Sequence, residues 1–322
     1  MVRQPLTWPD HRGNPRPSCL DVLSKKWLSS VSNLLPHLLM IDTLWIHIGM
    51  GKTGTSAIQG YFDAAGERLE EECGVRYLSA GRVNRAHQLL SPTYRRAQNT
   101  EWRRCLQEME AELKSGSCHS GIISSEFLCW DDEEFCRQMR AHIPSTRVRI
   151  VLFVREIGDL LYASFLQRVK SRPAELAGQE YQFGPYLKRM GTRFDFTARL
   201  APWVAAFGRE AIHIVDYDRM EVRDSAATLC ATLGIPHWSD VEVESSENGS
   251  LSGEDLELLR FLEKQRPIPP AMRKELVAFL ISRGGRTRTQ LPAPFRPRVE
   301  ALYAELDDAF RKEYGLLPRL SR

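Results

Sequence analysis

No stretch of this 322-residue chain stays apolar for the roughly 20 residues that a membrane-spanning helix needs. The nearest approach, LLPHLLM, is short and interrupted by Pro36. Neither sign of charge dominates: 44 Lys and Arg against 41 Asp and Glu leave a net +3. That is too little to draw in nucleic acid by bulk attraction, so any anion site must be local. No CxxC pair occurs among the seven cysteines (Cys19, Cys73, Cys105, Cys118, Cys129, Cys136 and Cys230), and their number is odd. A disulfide framework and a zinc site are therefore not expected, and a reducing, cytoplasmic setting is. No His, Cys and Asp cluster has metal-ligand spacing, and no internal repeat is visible. The opening MVRQPLTWPDHRGNPRPSC is polar and proline-rich and lacks the layout of a signal peptide. Residues 1–42 are expected to be disordered or loosely attached, with Met40, just before the first strand, as a candidate natural start.

Apolar residues make up 43 % of the chain, enough for a sizeable core. Buried strands are predicted at TLWIHI (43–48), GVRYLSA (74–80), SGIISSEFL (120–128), RVRIVLFVRE (147–156) and AIHIVDYDRM (211–220). Helical spacing appears between them: Ala57, Ile58, Tyr61, Phe62 and Ala65 share one face, as do Trp102, Leu106, Met109 and Leu113. A helix is expected from about Asp159, another at FTARLAPWVAAFG, and beyond about residue 223 the chain reads as helical. Ser252 with Asp255 predicts an acidic capping box. Strands alternating with helices predict an α/β fold: a parallel sheet of P-loop NTPase type, flanked by helices, with a helical C-terminal portion, all within one domain from 43 to 322.

The chemistry starts at IHIGMGKTGTS (46–56). A glycine loop between a strand and a helix makes an anion site, because free backbone N–H groups at the helix start point at the ligand and the helix dipole favours negative charge. Gly49, Gly51 and Gly54 allow tight turns and close approach, Lys52 adds a mobile positive charge, and Thr53, Thr55 and Ser56 add hydroxyls. The ATPase pattern G-x-x-x-x-G-K-[ST] is not met. Gly49 and Gly54 have the right separation, but Thr55 and Ser56 follow where Lys and Ser/Thr belong, and the lysine lies inside the loop.

HIGMGKTGTS resembles the 5′-phosphosulfate loop of sulfotransferases that use 3′-phosphoadenosine 5′-phosphosulfate (PAPS), with Gly51 in place of their usual proline. RIVLFVREIGDLLYASFLQRVK (149–170) is similar to the family's second signature, a strand ending in arginine followed by a helix with a serine. ENGSLSGEDLELLRFL and ALYAELDDAFRKEYG resemble a bacterial branch. The resemblance implies a PAPS-dependent enzyme that leaves PAP as product and requires no metal. It implies Gly51, Lys52, Thr53, Gly54, Thr55 and Ser56 around the 5′-phosphosulfate, Lys52 stabilising the leaving oxygen, and Arg155 with Ser164 on the 3′-phosphate. Here Ala163 stands at the usual serine position and Ser164 is one residue further, a rotation of roughly 100° about the helix. Ala57 replaces the tryptophan that many relatives stack on adenine.

Transfer also needs a general base. Two residues qualify. Glu126 falls at the C-terminal end of a predicted strand, where ligands gather in open α/β sheets. His87 stands in a polar stretch and belongs to the residue type that titrates in the useful range. The resemblance brings Arg286 and Arg288, in a basic late connection, over the 3′-phosphate, although a solvated charge run is the better account of them; Arg168 and Lys170 could face an acidic acceptor, and an exposed helix face explains them equally well. The expected activity is sulfuryl transfer to a hydroxyl or amine of a small molecule, a carbohydrate or a lipid-linked glycan, with no nucleic-acid partner. The alternatives are a P-loop nucleotide kinase, which wants the missing Walker lysine and a Mg²⁺-binding carboxylate, and a non-catalytic nucleotide-binding protein. The acceptor and the oligomeric state carry no sequence signal.

Overall fold

The computed structural model describes residues 40–94, 99–115, 118–144, 146–171, 182–220, 224–243, 251–266, 268–283 and 290–317. The segment 1–39, with Cys19, and the basic pair Arg286 and Arg288 lie outside the described residues.

Five strands form one parallel sheet: β1 (Thr43–His47), β2 (Val75–Tyr77), β3 (Ser120–Ser124), β4 (Arg147–Val154) and β5 (Ile212–Asp216), in the order β2-β3-β1-β4-β5. Ile46 on the central strand pairs with Ile123 on one side and Ile150 on the other. Side chains alternate faces with period two. Leu44, Ile46, Ile123, Ile150, Leu152 and Val154 enter one apolar cluster, while Ile122, Val151 and Phe153 enter a second on the opposite face. With both faces apolar, each must be covered by helices, which is the parallel-sheet solution. The α/β arrangement expected from the sequence is the one observed.

In chain order the helices are α1 (Thr55–Ala64), α2 (Gly66–Cys73), α3 (Trp102–Lys114), α4 (Glu133–Ala141), α5 (Ile157–Ser171), α6 (Phe183–Met190), α7 (Phe196–Phe207), α8 (Ser225–Leu233), α9 (Gly253–Gln265), α10 (Pro270–Arg283) and α11 (Arg296–Glu313). α1, α2 and α8 cover one face, through Ile58, Phe62, Leu69 and Leu229. α3, α4, α5, α7 and α11 cover the other, through Leu106, Phe135, Leu160, Trp203 and Phe310. α9 and α10 build a small cluster of their own around Leu259 and Leu280.

Acidic side chains stop the orphan N–H groups at several helix starts: Asp132 caps α4, Asp195 caps α7 and Asp224 caps α8. The expected Ser252–Asp255 capping box opens α9. Two buried arginines fasten the C-terminal helices to the sheet layer. Arg311 of α11 donates to Asp216 at the end of β5 (2.9 Å), and Arg273 of α10 donates to Glu263 (2.8 Å) and to the carbonyl of Val169 on α5 (2.7 Å).

Several boundaries differ from expectation: β2 stops at Tyr77 rather than 80, and β5 stops at Asp216 rather than 220, where residues 217–219 form a 3-10 turn. Ile41 and Asp42, assigned by sequence to the loose N-terminal segment, are part of the sheet layer. Ile41 is buried and donates its N–H to the Leu113 carbonyl (3.0 Å), and the Asp42 carbonyl accepts from Arg147 N–H (2.8 Å). β3 ends at Ser124 rather than near 128: the Ser125 N–H to His47 carbonyl bond (3.1 Å) is the last of the ladder with β1, and residues 128–130 coil into a 3-10 turn.

Candidate functional site

The loop after β1 runs into α1 at the centre of the sheet. Gly49 has φ +60° and Gly54 φ +84°. A Cβ on Gly54 would stand 1.7 Å from the Ser225 hydroxyl oxygen of α8, so only glycine lets the loop seat against that helix. Lys52 itself adopts φ +73°, uncommon for a side-chain-bearing residue and a mark of a functional turn. The Thr53 hydroxyl is buried and donates to the Met50 carbonyl (2.6 Å), pinning the loop from inside instead of facing outward. A Cβ placed on Gly51 would meet nothing within 4 Å; Thr55 is buried and Ser56 exposed. α1 has no side-chain cap and no acidic residue in its first turn, so its leading N–H groups remain available to an anion.

Lys52 reaches over to α5, where its ammonium donates to the Gln167 side-chain carbonyl (2.7 Å). Burial pushes its pKa down to about 8; Lys170 and Arg155 push the same way, and Glu126 opposes them. Positive groups gathered around a partly desolvated ammonium favour the approach of an anion. Arg155, at the end of β4, is buried and donates to the backbone carbonyl of Lys52 (3.2 Å). The two cationic positions therefore lie side by side. The Arg155 guanidinium lies 5.8 Å from the Tyr217 ring centroid, and Tyr217 also borders Gly54. Ser164 is half-buried on α5 and accepts a hydrogen bond from the Tyr186 hydroxyl (3.0 Å). It lies one helical turn before Gln167 on the same face, whereas Ala163 points into the core. The start of α5 is no anion site: the Glu156 carboxylate already accepts from Gly158 N–H (2.9 Å) and Asp159 N–H (2.6 Å).

The sequence singled out two bases, and the structure treats them differently. Glu126 stands in the turn after β3, half-buried, beside the loop: a Cβ on Gly49 would come within 2.9 Å of its Cα. The Gln59 amide donates to Glu126 Oε2 (3.1 Å). His87 is fully buried, and both of its ring nitrogens are occupied by backbone. Nε2 bonds the Leu78 carbonyl (2.7 Å) and Nδ1 accepts from Ser124 N–H (3.1 Å). Burial pushes its pKa down to about 4. The expectation of an accessible, titrating His87 is not met: its ring bridges the ends of β2 and β3. Of the basic residues assigned to an acceptor, Lys170 lies in Coulombic range of Lys52 and Arg168 in that of Tyr186.

Gln59, Gln167 and Tyr217 join the site without having drawn notice in the sequence. An amide on an amphipathic helix and a tyrosine after a strand carry no motif; only the spacing of Gln59 on the polar flank of α1, one turn from the loop, was available as a signal. Among the described residues no group of three or more His, Cys, Asp or Glu side chains is placed to hold a metal ion. No described helix is long and apolar enough to cross a membrane.

No family model matches the chain, and no curated protein matches it. Among solved structures, a sulfotransferase from Alicyclobacillus acidocaldarius is 15 % identical with a TM-score of 0.42, over 75 % of this chain and 96 % of that one. Mouse sulfotransferase SULT7A1, complexed with PAP, is 14 % identical with a TM-score of 0.42, over 88 % and 92 % of the two chains. A retinol dehydratase, in complex with androsterone and the inactive cofactor PAP, is 13 % identical with a TM-score of 0.36, over 89 % and 85 %. At TM-scores of 0.42 and below, these are likenesses in outline and no basis for assigning an activity.

Proposed function

We propose that the chain is a PAPS-dependent sulfotransferase of the bacterial cytoplasm that moves a sulfuryl group to a hydroxyl or amine of a carbohydrate or lipid-linked glycan. The observation that carries the reading is the joint placement of Lys52 and Arg155: a lysine inside the glycine loop, in place of the Walker position, with the Arg155 guanidinium 3.2 Å from that lysine's own carbonyl oxygen. A nucleoside triphosphate site wants its lysine after the second glycine and a metal-binding carboxylate at a strand end. Here the end of β4 carries Arg155, a fork-shaped donor suited to a phosphate.

In this reading the N–H groups of the loop and of the first turn of α1 hold the 5′-phosphate, and Arg155 with Ser164 holds the 3′-phosphate. Tyr217, beside Gly54 and Arg155, offers the aromatic face that Ala57 does not. Glu126 Oε1 takes the proton from the acceptor hydroxyl as its oxygen bonds to sulfur. Lys52 leaves Gln167 to stabilise the charge on the oxygen that departs with the 5′-phosphate, the kind of preorganised stabilisation that lowers a barrier most. Glu126 is preferred to His87 because the imidazole has both nitrogens engaged.

Calorimetry tests the donor assignment. PAP should bind without Mg²⁺ and ATP should not compete at equal concentration. Mg²⁺-dependent ATP binding in place of PAP binding would establish the kinase alternative. Sulfuryl transfer from PAPS to a panel of glycans, phenols and amines then separates an enzyme from a protein that only binds the nucleotide.

A further inference from the structure

Glu126 is anchored by a buried polar chain that the transfer reaction described above does not use. The Gln59 amide nitrogen carries two hydrogens. One lies toward Glu126 Oε2 (3.1 Å) and the other toward the Ser124 hydroxyl (3.4 Å). The Ser124 oxygen is 2.8 Å from His47 Nδ1. Gln59, Ser124 and His47 are all buried, and they come from α1, β3 and β1. His47 sits edge-on to Phe153, and its Nε2 has no hydrogen-bond partner among the described residues. A buried ring nitrogen without a partner costs stability, and phenylalanine would fill this space without that cost. What the histidine adds over phenylalanine is the hydrogen bond at Nδ1.

We propose that Gln59 is a positioning residue for Glu126, with Ser124 and His47 fixing the amide so that one carboxylate oxygen is held and the other faces the acceptor. The direction of the chain follows from its donors. A carboxylate accepts only, so Gln59 turns its nitrogen toward Glu126. The same nitrogen donates to Ser124, whose own hydrogen is then directed at His47 Nδ1. That end must be a neutral imidazole, and burial drives the His47 pKa down to about 3, which keeps it so. The bonds from Gln59 to Ser124 and from Ser124 to His47 run in one sense and reinforce each other, while the second amide hydrogen is left for Glu126. The consequence for Glu126 is geometric: with Oε2 held, Oε1 is presented toward the loop and the acceptor, at the moment when an error of about 1 Å costs on the order of a hundredfold in rate.

This inference rests on the reading of Glu126 as the base, and the experiment separates the two. Sulfuryl release from PAPS, to water or to an acceptor found in the glycan panel, is measured for Gln59→Met, Ser124→Ala, Glu126→Gln and the Gln59→Met/Glu126→Gln double variant, with PAP affinity by calorimetry for each. Gln59→Met should lower kcat by about ten- to a hundredfold with PAP Kd unchanged within about twofold, and should cost nothing further in the Glu126→Gln background. Ser124→Ala should lower kcat by about threefold, again at constant PAP Kd. Wild-type kcat in Gln59→Met, or a full multiplicative loss in the double variant, overturns the positioning role. Should Gln59→Met fail to bind PAP, Ser124→Ala decides by the same criteria. Wild-type release by Glu126→Gln, or none from the unaltered protein, overturns the base assignment itself, and the positioning role with it.

Discussion

Gly49 and Glu126 pack backbone against backbone: a Cβ placed on the glycine would lie 2.9 Å from the glutamate Cα. The first residue of the loop and the turn that presents the carboxylate thus share one contact, with no room for a methyl group between them. Gly49→Ala adds to this clash a positive φ of 60°. The expected cost is about 2–4 kcal/mol from left-handed strain and overpacking together. Thermal unfolding followed by circular dichroism checks the stability, and loss of PAP binding in the residual folded protein checks the loop.

Lys52→Ala should remove at least about a hundredfold of turnover, the scale of one transition-state donor, while weakening PAP binding by no more than about tenfold. The lysine is assigned to charge that develops as the sulfuryl group leaves, and the backbone N–H groups hold the phosphate that is present throughout. Turnover near that of the unaltered enzyme in a steady-state assay would refute the role.

Arg155→Ala should weaken PAP binding by about 1.5–3 kcal/mol, the worth of a hydrogen bond to a charged group. The loss should shrink to nearly nothing for adenosine 5′-phosphosulfate, which lacks the 3′-phosphate. Equal loss for both ligands in calorimetry would place the arginine elsewhere on the donor.

The lowered pKa of Lys52, about 8 against an ordinary 10.5, fixes the sign of a pH effect. Below pH 8 the free protein carries the ammonium. Above it the free protein loses the charge, and a bound anion restores it by raising the pKa again. PAP affinity should therefore fall as pH rises through about 8, by up to tenfold per unit, with proton uptake on binding in that range. Titrations in two buffers of different ionisation enthalpy detect the uptake, and Lys52→Arg, charged throughout, should abolish it.

Arg311→Met should destabilise the fold by about 3–5 kcal/mol, because it removes the buried cation from between Asp216 and Asp307, leaving Asp216 with Arg219 at 3.7 Å and Asp307 without its arginine. The pair joins α11 to the end of β5. Denaturant unfolding should register the loss.

The loop was legible in sequence because its chemistry is local: the glycines, the lysine and the hydroxyls fall within residues 49–56, and β1 and α1 start close to where periodicity places them. The partners that complete it were not, since Lys52 meets Gln167 across 115 residues and Gln59 meets Glu126 across 67. His87 shows the limit from the other side. Its neighbours in sequence are polar, which reads as a surface, but its burial is set by the Leu78 carbonyl and the Ser124 amide, which only the fold brings together. Helix α4 carries an aspartate cap and an apolar stripe of Phe135, Cys136 and Met139, yet nine residues are too few for that pattern to stand out. In β3 the apolar Phe127 and Leu128 extend the strand signal past Ser124, although they serve a turn.

The order β3-β1-β4 puts the carriers of Glu126, Lys52 and Arg155 on three adjacent strands. Neighbouring strands stand roughly 4.8 Å apart whatever chain joins them. The sheet thus works as a ruler, fixing the separation of carboxylate, ammonium and guanidinium independently of the long crossovers between them. Those crossovers are free to lengthen, shorten or change composition without altering the ruler.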